Sequence, residues 1–136
     1  MTTTNPALQA LRAAVTGRIE RGEAEAIVEI PAAVDYIQDP GHGWIAIPLA
    51  TLRALGFRVA GAGERWPYAG RVISTYSYVK DGMAYLEEDA DATAYMKALD
   101  ADGIDRPKIN PVHVGDHIGV KGNPRNMPPI AIHDLA

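Results

Sequence analysis

The sequence predicts an α+β fold: a mainly antiparallel sheet with two or three helices packed on one face. Three observations carry this expectation. Asp81-Gly82 stands between two β-rich runs, RVISTYSYV and MAYLEE, the strongest short hairpin signal in the chain. PLATLRALGF has the marks of a bounded helix, with proline at its start and glycine just past its end. Read from end to end, the predicted elements run α-β-β-α-β-β-α-β(β).

The first element is a helix over residues 1–22. Asn5 caps it, Pro6 takes its first position, and Leu8, Leu11, Val15 and Ile19 recur at spacings of three and four. Gly22 ends it. Residues 26–103 form the α+β core, which begins with a short strand over Ala26–Pro31. Asp39-Pro40-Gly41 is turn chemistry, and Gly43 leads into WIAIP, a strand stopped by Pro48. That proline opens the second helix, with Leu49, Leu52 and Leu55 inward. Gly56 takes the left-handed position and Phe57 packs back on the last turn.

Residues 60–70, AGAGERWPYAG, read as a mobile loop carrying Trp66 and Tyr68. A two-residue turn at Asp81-Gly82 then sets Tyr78 opposite Tyr85 and Tyr76 opposite Glu87, so these side chains share a face. Ile73, Val79 and Leu86 take the other. A helix of about twelve residues follows, capped by Asp89 or Asp91, with Ala92, Tyr95 and Leu99 inward and Gly103 at its end. Residues 104–136 are rich in proline and glycine, with short β pieces.

A chain of 136 residues fits a single domain, 1–136, able to bury roughly two thirds of the surface it exposes unfolded. Apolar residues make up 47 % and charged residues 22 %, ordinary values for a folded globular protein. No apolar run reaches the roughly 20 residues of a membrane span, so no membrane partner is expected. The opening MTTTNPALQALRAAV places no charged segment ahead of an apolar block, and no secretory signal is expected. Cysteine is absent, which excludes disulfides, zinc–thiolate sites and cysteine nucleophiles, and fits a cytoplasmic setting. The net charge of −4 weighs against direct nucleic-acid binding, whose affinity comes largely from phosphate neutralisation.

Four constellations are candidates for chemistry. His42, between two glycines in DPGHGW, could act as a general base if Asp35 or Asp39 fixed its tautomer; the plainer reading is a turn histidine beside a core tryptophan. Glu87, Glu88, Asp89 and Asp91 could hold Mg²⁺ or Ca²⁺, yet they fall where a strand meets a helix start, and capping explains them better. HVGDH suggests a metal through His113 and His117. A hairpin turn at Gly115-Asp116 would send those imidazoles to opposite faces, so no metal and no cofactor is expected. The stripe Tyr76, Tyr78 and Tyr85 could fill a partner's groove, or lie under a helix with its hydroxyls at the surface. Gly61-Ala62-Gly63 lacks the GK[ST] of a phosphate loop, and neither GxSxG nor HExxH occurs.

HGWIAIP followed by STYSYVKDGMAYLEEDADATAYMKAL is similar to an uncharacterised group of small bacterial and phage proteins sharing the pattern HGW, an apolar strand ending in proline, YSY, a turn, and YLEED. The resemblance spans approximately residues 39 to 100. It carries no activity and no functional residues. It implies a setting, mobile elements, in which short acidic domains act by binding a host protein.

The expected function is therefore a small acidic, non-enzymatic binding protein of a phage or mobile element that modulates a host protein, with a nucleic-acid-binding defence enzyme as one such target and anti-defence inhibition as the outcome. The expected contact surface is Trp66, Tyr68, Tyr76, Tyr78, Glu87, Glu88 and Asp91, because aromatic anchors supply most interface energy and flanking charge tunes encounter. Two alternatives stand beside it. One is a hydrolase or metal-dependent enzyme using His42 with Glu87 or Glu88, which requires the DPGHGW loop to meet the acidic strand end. The other is a structural homodimer.

Overall fold

The computed structural model describes residues 30–114 and 123–136. The helix expected over 1–22, nearly all of the strand expected over 26–31, and the Gly115-Asp116 turn with His117 lie outside the described residues.

The fold is α+β: the described residues form a five-stranded mixed sheet, a second two-stranded sheet and two α-helices. The strands are β1 (Ala33–Gln38), β2 (Gly43–Pro48), β3 (Arg58–Val59), β4 (Val72–Ile73), β5 (Tyr78–Lys80), β6 (Met83–Glu87) and β7 (Lys108–His113). Helix α1 (Leu49–Ala54) follows β2, and α2 (Asp91–Ala101) follows β6. The large sheet has the order β5-β6-β2-β1-β7, antiparallel throughout except for the parallel β1–β7 pair at one edge. Pro111 is tolerated in β7 because that strand is an edge among the described strands, where a missing N–H breaks no second ladder.

Strand β1 is absent from the expected element order. Asp35 and Gln38 interrupt its apolar run, but Val34 and Tyr36 alternate toward the core, the true mark of a half-exposed strand. The run RVISTYSYV also behaves differently from expectation. It breaks into β4 and β5, which belong to different sheets, because Ser74 and Ser77 are drawn inward between them.

One face of the large sheet builds the core. Ile45, Ile47, Ala84 and Leu86 point inward and meet Leu52 of α1 and Tyr95 and Leu99 of α2. Alternation places Trp44, Ala46, Tyr85 and Glu87 on the opposite face, with Tyr78 across from Tyr85. Both helices stop as their sequences predict. Gly56 and Gly103 have φ of +83° and +68°, and the following amides of Phe57 and Ile104 reach back to the Leu52 and Leu99 carbonyls at 3.0 and 2.9 Å. The start of α2 departs from expectation, since Ala90 occupies the capping position rather than Asp89 or Asp91.

The C-terminal segment is part of the core. Ile130 and Leu135 are buried, and the amides of Val79 and Ile130 bond to the carbonyls of Pro128 and Ser77, both at 2.9 Å. These contacts give β5 a neighbour where the sheet would otherwise present a free edge.

Candidate functional site

The DPGHGW stretch forms a bend organised by Asp39. Its carboxylate accepts from the Gly41 and His42 amides at 2.9 and 2.7 Å, and the Asp39 amide donates to the His42 carbonyl at 3.0 Å. The buried carboxylate also accepts from Arg125 Nε at 2.7 Å and Asn123 Nδ2 at 3.4 Å. Burial alone would raise the Asp39 carboxyl; Arg125, the two turn amides and Asn123 overcome it and hold the group down at about 2. Gly43 is required for another reason. A Cβ there would overlap the Tyr36 ring, lying 2.6 Å from Cζ.

Asp39 therefore fixes the backbone of His42 and not its imidazole. The exposed His42 ring tilts against Trp44 with centroids 6.1 Å apart, and has no hydrogen-bond partner among the described residues. The expected tautomer-fixing contact from Asp35 or Asp39 is not formed.

Two residues along, Trp44 is 2 % exposed, with Tyr78 packed edge-on at 6.4 Å and the Arg125 guanidinium 5.8 Å from its ring centre. Around it His42, Trp44, Tyr76, Tyr78, Glu87 and Arg125 line a cleft of about 260 Å³. Trp44 faces Glu87 directly across the β2–β6 ladder, which explains how the glycine-rich bend meets the acidic strand end.

Tyr78 pairs with Tyr85 as the hairpin predicts, but Tyr76 does not pair with Glu87. The Ser74 hydroxyl accepts from the Tyr76 amide at 3.2 Å and the Ser77 hydroxyl accepts from the Glu87 amide at 3.0 Å, so side chains replace the ladder. Tyr76 is turned out at the cleft mouth, 72 % exposed. Tyr85 stays half-buried on the sheet and does not line the cleft.

The acidic run divides by strand alternation. Glu87 faces the cleft; its Oε2 accepts from the Asp89 and Ala90 amides at 2.9 and 3.1 Å, while Oε1 has no partner among the described residues. Burial, reinforced by the Asp89 charge, raises its carboxyl above the usual range. Glu88 turns the other way and accepts from the Tyr36 hydroxyl. Asp91 is 1 % exposed and is used inside the fold, accepting from the Ser74 amide at 2.9 Å, the Ser74 hydroxyl at 2.7 Å and the Ser77 hydroxyl. Among the described residues no group of three His, Asp or Glu side chains stands close enough to share a metal ion.

Trp66 and Tyr68 lie elsewhere. With Arg71, Asp89, Thr93 and Lys97 they line a second groove, of about 330 Å³, between the glycine-rich loop and α2. The loop's base is fastened by Glu64, which pairs with Arg58 through both carboxylate oxygens and accepts from the Gly61 amide. The expected contact surface thus separates into two depressions on either side of the Glu87–Ala90 turn, with Glu88 and Asp91 in neither as free carboxylates.

Sequence reasoning missed Arg125 altogether and placed Trp44 only as a core anchor. Asn123-Pro124 did carry a signal. Asn123 caps a single 3-10 turn, Pro124–Asn126, by accepting from the Arg125 amide at 3.0 Å, and that turn aims Arg125 at Asp39.

The class defined by fold and site is an α+β protein with an aromatic cleft on the sheet face opposite its core. Compared with known protein families, curated proteins and solved structures, the chain matches none. Among the described residues no helix is long and apolar enough to cross a membrane.

Proposed function

We propose that this chain is a non-enzymatic binding protein that engages a protein partner through the cleft of Trp44, Tyr76 and Tyr78. The observation that carries this reading is convergence: Trp44 from one stretch of sequence and Tyr76 and Tyr78 from another meet beside a carboxylate with one oxygen unpartnered among the described residues. Aromatic side chains in a pocket dominate interface energies, and a nearby charge selects among partners. The resemblance to small bacterial and phage proteins supplies the partner to test first, a host protein, with a nucleic-acid-binding defence enzyme and its inhibition as the specific form. Trp66, 62 % exposed at the second groove, extends the contact area.

Affinity capture from host lysate with quantitative mass spectrometry tests this. Tyr78→Ala and Tyr76→Ala are expected to reduce recovery of a specific partner at least about tenfold, the scale of a hot-spot truncation. Unchanged thermal midpoints for the exposed Tyr76→Ala variant exclude misfolding as the cause. Equal recovery of every captured protein by wild type and both variants would remove the cleft as the contact surface.

One observation favours a second reading, hydrolysis with His42 as base: His42 and Glu87 line the same cleft. Its weakness is the solitary imidazole, since a general base is normally oriented by a third group. Binding that survives His42→Ala with unchanged affinity supports the first reading; a chemical turnover lost in His42→Ala supports the second.

A further inference from the structure

We infer that the cleft receives an organic cation, a lysine or arginine side chain presented by the protein partner. This deepens the binding reading above and rests on it.

The charges of the cleft do not cancel. Arg125 is committed to Asp39, whose carboxylate is fully enclosed, so this pair is neutral as a unit. Among the described residues Glu87 has no cation of its own. It bonds two amides through Oε2, has Asp89 beside it, and keeps Oε1 open among the described residues. A half-buried carboxylate in that state is stabilised by an incoming positive charge and repels an anion.

The rings point to the same occupant. Trp44 already holds the Arg125 guanidinium 5.8 Å from its centre, an internal example of a cation on this aromatic cluster. Tyr78 stands edge-on to Trp44, and Tyr76 projects at the mouth where a partner side chain would enter. Aromatic faces beside one carboxylate are the arrangement by which ammonium and guanidinium groups are recognised. A volume of about 260 Å³ accommodates a single long side chain and leaves no room for a folded segment. The overall charge of −4 favours approach of a basic surface.

The test uses the full chain, and the Trp44 indole resonance is identified as the one that persists in Trp66→Phe. Ac-Gly-Lys-Gly-NH2 and Ac-Gly-Arg-Gly-NH2 are titrated against the ¹⁵N-labelled protein, with norleucine and glutamate in place of the cation as controls. Saturable shifts of the Trp44 indole are expected with one or both cationic peptides, and with neither control. Which cation binds more tightly identifies the partner side chain. Glu87→Gln retains a carbonyl for the two amides and is expected to weaken cation binding about tenfold.

Equal binding of the norleucine peptide, or an unchanged affinity in Glu87→Gln, would overturn the cation. So would an indole signal unmoved by either cationic peptide. If Tyr78→Ala abolishes partner capture while the peptides leave Trp44 undisturbed, the ligand chemistry is wrong and the binding reading survives. If the cations bind but Tyr78→Ala changes capture of no protein, the cation site stands and the protein-partner reading falls.

Discussion

Asp39 joins the bend of the DPGHGW loop to a guanidinium 86 residues away, so one enclosed carboxylate sets the position of both His42 and Arg125. Its acidity gives a signed expectation. The native carboxyl is held down at about 2, against 3.8 for an ordinary aspartate, so the unfolded chain binds the proton more readily over that interval. The stabilisation is complete above the unfolded value, from about pH 5, and is lost as pH falls toward 2. Asp39→Asn is expected to cost roughly 1–2 kcal/mol near neutrality, discounted for the partly open Arg125, and to flatten this acid limb. Urea midpoints of wild type and variant between about pH 3 and 7 measure it. Since Asp100 and Asp102 are also lowered by their arginines, the difference between the two proteins isolates Asp39; parallel acid limbs would contradict the assignment. At this scale the turn character of Asp39-Pro40-Gly41 was legible in local chemistry, whereas the need for glycine at position 43 was not. That need comes from the Tyr36 ring on the neighbouring strand, a contact made by register and invisible to composition.

Among the elements, the β5–β6 hairpin turns most closely on its local sequence. Asp81 and Gly82 have φ of +51° and +79°, the paired left-handed conformation of a tight two-residue turn, and the register Tyr78–Tyr85, Val79–Ala84 and Lys80–Met83 follows from it. Gly82→Ala is expected to lower stability by about 1 kcal/mol, because an added Cβ is strained at that φ even though the space around it is empty. Asp81→Gly, which relieves the same restriction at the first position, is expected to be near neutral. Thermal unfolding of the two variants distinguishes them, and equal midpoints would show that the turn does not set the register. The same hairpin also marks where element-level reading stops. Beyond Ser77 the ladder yields to Ser74, Ser77 and Asp91, whose mutual hydrogen bonds bend the chain into another sheet. Serines in a β-rich run look like surface positions of a strand until a carboxylate from the next helix is known to lie beside them.

For the whole molecule, the C-terminal segment is the decisive connection. Residues 123–136 place Ile130 and Leu135 in the core, give β5 its neighbour, supply Arg125 to the cleft, and lend the Asp134 carbonyl to Arg53 of α1 at 2.9 Å. Ending the chain after residue 122 is therefore expected to abolish cooperative unfolding in urea, since a core missing two large aliphatic side chains loses about 2–5 kcal/mol for each. Ile132→Ser, at a position 60 % exposed, is the matched control and is expected to unfold like wild type. A truncated chain with an unchanged midpoint would show that the segment merely lies on the surface.

By itself the sequence determined the α+β class, the hairpin register at Asp81-Gly82, and the two glycine-terminated helix ends, because each depends on backbone preferences acting over a few residues. It also placed Tyr76, Tyr78, Glu87 and His42 among the residues of interest. Only the tertiary structure decided that these four share a cleft with Trp44 and Arg125, that Trp66 and Tyr68 belong to another groove, and that Asp91 is buried. Those outcomes depend on long-range register, on serines drawn inward beside Asp91 and on a buried charge pair closed across most of the chain, and such contacts leave no local periodicity to read.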